Sequence, residues 1–205
     1  MAKSKNRKWI DRHVSDVYVR KSKSDGFRSR ASYKLLEILK SKPLIRRGDT
    51  VVDLGCAPGG WSQVAKSAVG AKGTVIGVDI LEMSPVPETE FIRGDFSEKQ
   101  VLDLLCSKLE NKSVKLVISD MAPNITGVSA IDLPAHYELV DLAVEFCSAK
   151  LSEGGHLIIK LFQGSGFDLA VRDIGQSFKK VKLIKPEASR KKSREVYLLG
   201  ENFHQ

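Results

Sequence analysis

Apolar positions along the chain alternate between two kinds of run. Short β-branched stretches, VVDLG (51–55), TVIGVDI (74–80), EFIRGD (90–95), KLVISDM (115–121) and GHLIIKLF (155–162), read as strands. Several are apolar at consecutive positions, as a parallel sheet covered on both faces requires. Amphipathic stretches separate them. Ser97 with Gln100 has the form of a capping box that opens FSEKQVLDLLCSKL. Asp132 and Pro134 open a second predicted helix and Gly154-Gly155 close it, with Leu139, Leu142, Ala143 and Phe146 forming its apolar face. Ahead of the first strand, SYKLLEILKSK reads as a helix with Leu35, Leu36 and Leu39 on one side. Near the end, KKVKLIKP (179–186) and REVYLLG (194–200) flank the basic loop EASRKKS, the spacing of a terminal hairpin rather than of another crossover. The pattern predicts an α/β fold: a doubly wound, mostly parallel sheet of seven strands with an antiparallel last strand and helices on both faces.

Length and charge narrow the class. A chain of 205 residues suits one buried α/β domain, and the composition predicts a single domain over 26–205 preceded by a basic, flexible arm at 1–25. The net charge of +8 points to a polyanionic partner. The charge is also clustered: residues 1–30 carry ten Lys or Arg against three acids, and residues 179–194 carry eight against one. Cys56, Cys106 and Cys147 lie far apart with no C-x-x-C spacing, which implies neither a disulfide framework nor a zinc site, and the four histidines are scattered. No apolar stretch approaches the roughly 20 residues of a membrane span, and the first residues lack an apolar signal core. A cytoplasmic monomer is the expectation.

In an open sheet of this kind, ligands sit beyond the carboxyl ends of the strands. The turn after the first strand, Gly55-Cys56-Ala57-Pro58-Gly59-Gly60-Trp61, has tryptophan where a phosphate-binding loop needs lysine, and alanine at 57 where a dinucleotide fingerprint needs glycine. Neither ATP nor a pyrophosphate is specified. A ligand without phosphate, a nucleoside carrying a small zwitterion, suits a turn whose glycines permit close backbone approach. Asp79 ends the second strand, where an acid accepts hydrogen bonds from ribose hydroxyls, and Asp95 follows the third. Taken singly, either acid is more often a turn former than a ligand contact. Their recurrence at successive strand ends, beside the glycine turn, reads as an S-adenosylmethionine pocket.

Six segments, DLGCAPGGWSQ, GVDI, GDF, SDMAPN, IIKLFQG and SRKKSREVY, resemble the FtsJ/RrmJ family of ribose 2′-O-methyltransferases, and the likeness runs from about Ser24 to Leu199. The resemblance implies a class I S-adenosylmethionine-dependent methyltransferase fold, Rossmann-like, with that molecule as methyl donor. It implies cofactor contacts at Gly59, Trp61, Asp79, Asp95 and Asp120. A catalytic tetrad of Lys34, Asp120, Lys160 and Glu195 is also implied. Bacterial members modify a uridine in the A loop of 23S ribosomal RNA, which makes large-subunit RNA, within the 50S subunit or a late precursor, the implied partner. Cys56 stands where a small residue is expected.

Elementary chemistry is compatible with these positions. Methyl transfer to a ribose hydroxyl needs oxygen, methyl carbon and sulfur nearly collinear, so positioning supplies much of the rate. Lys160 is the candidate general base, made more acidic by burial and by a neighbouring cation such as Lys34, while Asp120 and Glu195 act in the opposite direction. A protonated Lys160 that orients the hydroxyl and stabilises charge on oxygen is the alternative. The basic clusters would contact phosphates, and Trp9, Tyr18 and Phe27 either stack on bases or anchor the arm. Three competing functions stand beside this reading: the same chemistry on transfer RNA, a non-catalytic RNA-binding assembly factor, and a nucleotide-dependent oxidoreductase.

Overall fold

The computed structural model describes residues 16–190 and 192–204, so Trp9 and the first part of the expected arm lie outside the described residues. The chain begins with α1 (Val17–Ser24) and α2 (Ser32–Ser41), followed by β1 (Thr50–Leu54), α3 (Gly60–Val69), β2 (Thr74–Asp79) and β3 (Glu90–Arg93). It continues through α4 (Lys99–Leu109), β4 (Val114–Ser119), α5 (Ser129–Lys150), β5 (Leu151–Phe162), α6 (Phe167–Gly175), β6 (Phe178–Ile184) and β7 (Glu195–Phe203). The seven strands form one sheet in the order β3-β2-β1-β4-β5-β7-β6. The pairs among β1 to β5 are parallel, and β7 runs antiparallel to both β5 and β6. The expected α/β architecture, with its antiparallel insertion at the end, is what the chain adopts.

Period-two alternation divides the core into two layers. On one face Val52, Leu54, Ile76, Val78, Val117, Leu157 and Ile159 pack under α4, α5 and α6. On the other, Val51, Val75, Leu116, Ile118, Ile158 and Tyr197 pack under α2 and α3, against Leu35, Ile38, Trp61 and Val64. Polar residues that share the second set's alternation therefore rise on the α2/α3 side: Asp53 with Val51, Asp120 after Ile118, Lys160 after Ile158 and Glu195 before Tyr197. The direction of winding reverses between β1 and β4, which opens the crevice at the strand ends.

Several expected boundaries move. Helix α1 occupies residues assigned to the flexible arm: Asp16 caps it by accepting from the Tyr18 N–H at 3.0 Å, and Tyr18 and Phe27 both pack on Tyr33, with centroids 5.4 and 5.5 Å away. Those two aromatics anchor the segment. Ser97 does not open a capping box. Asp95 Oδ1 takes both the Ser97 amide (2.9 Å) and hydroxyl (2.7 Å), a local turn that delays the start of α4 to Lys99. Helix α5 starts at Ser129, three residues before Asp132, because the Asp132 carboxylate reaches back to the Thr126 and Gly127 amides at 2.8 and 3.0 Å. It also ends at Lys150 rather than at Gly154-Gly155. The glycines fall in β5, where the register shifts from Val114↔Leu151 to Leu116↔His156, so they serve a bulge instead of a helix terminus.

Candidate active site

The turn after β1 is shaped by two glycines. Gly55 has φ +76°, and a Cβ there would stand 2.6 Å from Met121 Cγ, so only glycine lets the turn and the β4 end approach each other. Gly59, at φ +100°, sits just before α3; a Cβ on it would strike Val86 Cγ2 at 2.6 Å. Asp79 braces the same turn from β2. Its Oδ2 accepts from the Ala57 N–H at 2.9 Å and its Oδ1 from the Leu81 N–H at 2.8 Å, which still leaves lone pairs on both oxygens for a ligand's hydroxyls.

These elements frame a cavity of about 390 Å³ running from Gly55 and Ala57 past Asp79 and Asp95 to Asp120 and Asn124. Among the described residues, its lining holds three carboxylates, Asp79, Asp95 and Asp120, and no lysine or arginine. In a chain of net charge +8, that is a local field suited to a cationic ligand and unsuited to phosphate. The volume lies in the range of roughly 300–1,000 Å³ usual for small-molecule sites. A nucleoside bearing a sulfonium and an ammonium fits both the charge and the size.

Asp120 belongs to two structures at once, for it lines the cavity and anchors a charged array beside it. Lys160 Nζ lies 3.1 Å from Asp120 Oδ1 and donates to the Asp120 carbonyl at 2.6 Å. Lys34 Nζ, from α2, pairs with Glu195 Oε1 at 2.7 Å. The two pairs are joined by a residue that sequence reasoning passed over: the Tyr197 hydroxyl donates to Asp120 Oδ1 at 2.7 Å and accepts from Lys34 Nζ at 3.0 Å. Sheet register makes this possible, because Lys160 faces Tyr197 and Phe162 faces Glu195 across the β5–β7 ladder. Both lysines are buried, Lys34 to 8% exposure and Lys160 to 7%.

The electrostatics follow from that packing. Burial works to raise the Asp120 carboxyl, but Lys160, Lys34 and the Tyr197 hydroxyl outweigh it and hold it below the usual carboxylate range. Burial and the facing carboxylates of Asp120 and Glu195 push the Tyr197 phenol well above its ordinary value, so it stays a donor. Beneath the turn, Asp53 is fully buried in the middle of β1 with Oδ2 accepting from Ser62 Oγ at 2.7 Å and Oδ1 unpartnered. Burial raises Asp53 to about 7; the Ser62 hydroxyl opposes this, and the nearby charges of Asp120 and Asp79 add to it. His136 of α5 packs on Phe162 with centroids 4.4 Å apart, and burial first, then Lys160, lowers it to about 4.

All four tetrad positions inferred from the sequence, Lys34, Asp120, Lys160 and Glu195, thus converge. Of the five cofactor positions, Asp79, Asp95 and Asp120 line the cavity, whereas Gly59 and Trp61 do not. Trp61 is 3% exposed, donates its indole N–H to the Ala31 carbonyl at 2.8 Å and packs on Tyr197 with centroids 5.5 Å apart. It supports the array from behind. Tyr197 could have been found in the sequence, since it lies two residues beyond Glu195 in a strand and so shares its face. Asp53 carried a signal as well, as a lone acid inside VVDLG. Among the described residues, no group of three or more His, Cys, Asp or Glu side chains could hold a metal ion, and no helix is long and apolar enough to cross a membrane.

A doubly wound sheet with an antiparallel β7, an acid-lined crevice at its switch point and a Lys-Asp-Lys-Glu array beside it define a class I, Rossmann-like methyltransferase. The family model for FtsJ-like methyltransferases matches residues 27–203, and this chain belongs to that family. It is 52% identical over 96% of its length to a ribosomal RNA large subunit methyltransferase E of Chromohalobacter salexigens, covering 93% of that protein. It is 50% identical over 99% of its length to the protein of the same name in Pseudomonas fluorescens, covering 98% of it. Among solved structures, a ribosomal RNA methyltransferase from Plasmodium falciparum superposes with a TM-score of 0.75 at 29% identity, over 86% of this chain and 98% of that one. The Aeropyrum pernix fibrillarin, crystallised with natively bound S-adenosyl-L-methionine, shares the fold with a TM-score of 0.57 at 15% identity, over 84% of this chain and 74% of that one.

Proposed function

We propose that the protein transfers a methyl group from S-adenosylmethionine to the ribose 2′-oxygen of a uridine in 23S ribosomal RNA, acting as a cytoplasmic monomer on the 50S subunit or a late precursor. The observation that carries this reading is the double position of Asp120, which lines the acid-lined cavity and holds Lys160 at 3.1 Å. A methyl donor in the cavity and an acceptor hydroxyl over the lysines would then meet at one carboxylate. The names of the relatives, methyltransferases of large-subunit ribosomal RNA, support the choice of acceptor.

S-adenosylmethionine supplies an electrophilic methyl group that its sulfonium has already activated. The chain's own residues do the rest. Asp79 and Asp95 take the nucleoside's hydroxyl and amino donors. Lys160 accepts the proton of the 2′-hydroxyl as oxygen attacks, while Asp120 holds the lysine's nitrogen in place through both its carboxylate and its carbonyl. Lys34, fixed by Glu195 and Tyr197, is a second cation that stabilises negative charge developing on oxygen. Burial of both lysines excludes water that would weaken these terms.

The test is transfer of labelled methyl from S-adenosylmethionine to large ribosomal subunits made without this protein, followed by mapping of the labelled nucleotide. Label on a uridine 2′-oxygen of 23S RNA is the expected result. Label confined to transfer RNA would move the acceptor, and no label on any RNA with cofactor still bound would remove the catalytic reading.

A further inference from the structure

Away from the catalytic array, one cluster of charge is out of balance. Arg30, in the turn before α2, has a largely buried side chain, 16% exposed. Its Nη1 pairs with Asp16 Oδ2, and its Nη2 donates to the Ala188 carbonyl. Arg190 Nε stands 3.8 Å from the same Asp16 oxygen. Between Ala188, whose carbonyl Arg30 holds, and Arg190 in the chain lies Ser189, 6% exposed, whose Oγ has no hydrogen-bond partner. Two guanidiniums therefore share a single carboxylate oxygen, with an unused hydroxyl one residue before Arg190. Burying an unpartnered hydroxyl costs stability unless a ligand completes it.

The loop that carries Ser189 and Arg190 is held in place. Glu37 of α2 accepts from the Glu187 N–H at 2.8 Å, and Lys185 Nζ donates to the Ser193 carbonyl at 2.6 Å, closing the loop on itself. Its location matters. Glu195 lies close enough to act on the Arg30 charge, so the cluster borders the Lys34–Glu195 end of the array.

We propose that Arg30, Arg190 and Ser189 form a phosphate subsite for the RNA strand next to the methylated ribose, and that Asp16 is a stand-in which the incoming phosphate displaces. A phosphodiester presents two anionic oxygens, which matches a pair of guanidinium forks and one hydroxyl better than a shared carboxylate oxygen does. Asp16 is suited to give way, for it reaches the arginines with Oδ2 alone while Oδ1 caps α1. The contact acts as an electrostatic latch: an RNA must outcompete it, which disfavours weakly held, non-cognate strands. This rests on the reading of the substrate as RNA.

The experiment is filter binding of purified large-subunit ribosomal RNA across a salt series, with the wild type, Asp16→Asn, Arg190→Ala and the double variant. Asparagine caps a helix as well as aspartate, so α1 is kept. The expected results are tighter binding by Asp16→Asn, about two- to fivefold, and a salt slope shallower by about 0.7 in Arg190→Ala. The double variant should lose the gain. Asp103→Asn, the same charge change at an exposed residue of α4, should give none. Equal gains from Asp16→Asn and Asp103→Asn, or a gain that survives undiminished without Arg190, would overturn the proposal. A wild type that methylates large subunits while these variants bind unchanged sinks the subsite alone. Variants that behave as expected on a protein that methylates no RNA sink the proposed reaction and leave the subsite standing.

Discussion

Tyr197 donates its hydroxyl to Asp120 Oδ1 at 2.7 Å and thereby joins the two ion pairs of the site, since the same oxygen accepts from Lys34 at 3.0 Å. Without it, Lys34–Glu195 and Asp120–Lys160 would be two buried pairs with no fixed relation. Tyr197→Phe keeps the ring packed on Trp61 and removes only the bridge. A hydrogen bond to a charged partner is worth roughly 1.5–3 kcal/mol, so kcat should fall by about 10- to 100-fold. Cofactor affinity should hardly change, because Tyr197 does not line the cavity. Steady-state methyl transfer with calorimetric cofactor binding checks the split; an equal loss in both would mean that the tyrosine serves only to hold the fold.

Most of the sheet was legible because buried parallel strands are apolar on both faces and interrupted only where chemistry intervenes. What escaped was set by tertiary contacts. Nothing local distinguishes Gly154-Gly155 as a bulge from a helix terminus, as the difference lies in the pairing of β5 with β4. Helix α1 hid within a basic segment because its stability comes from the Asp16 cap and from Tyr18 lying on Tyr33. At Trp61 the motif gave no sign of the packing, in which the side chain turns inward and supports Tyr197.

Lys160 should be indispensable for turnover and dispensable for the cofactor. Lys160→Met retains a long, flexible side chain in a buried position while removing the nitrogen that Asp120 holds. Turnover should drop by about a thousandfold or more, in line with loss of a general base and of the cation it becomes on taking the proton. The cofactor dissociation constant should stay within about threefold, less than 1 kcal/mol. Near-normal turnover in this variant would rule out Lys160 as the proton acceptor.

Asp79 joins cofactor recognition to the shape of the glycine turn. Asp79→Ala removes the acceptor for a ligand's hydroxyls and also frees the Ala57 and Leu81 amides. The expected result is cofactor binding weaker by about 10- to 100-fold, the loss of a charged hydrogen-bonding group. Isothermal titration with S-adenosylmethionine measures it, and an unchanged dissociation constant would take Asp79 out of the site.

Asp53 gives the fold an unusual dependence on pH. Burial first, then the nearby charges of Asp120 and Asp79, raise its carboxyl to about 7 against the ordinary 3.8, with Ser62 opposing. Between those values the folded protein keeps a proton that the unfolded chain releases, so this residue's contribution to stability falls as pH rises from about 4 to about 7 and is constant above. This is the reverse of Asp120, whose depressed carboxyl contributes stability that is lost as the medium turns acid. Asp53→Asn keeps an oxygen for the Ser62 hydroxyl and places an uncharged amide where Oδ1 has no partner. Its melting temperature relative to the wild type should therefore climb between pH 5 and pH 8, by about 4 °C or more for a chain of this size. A difference that stays flat across that window would show that Asp53 is ionised in the folded protein.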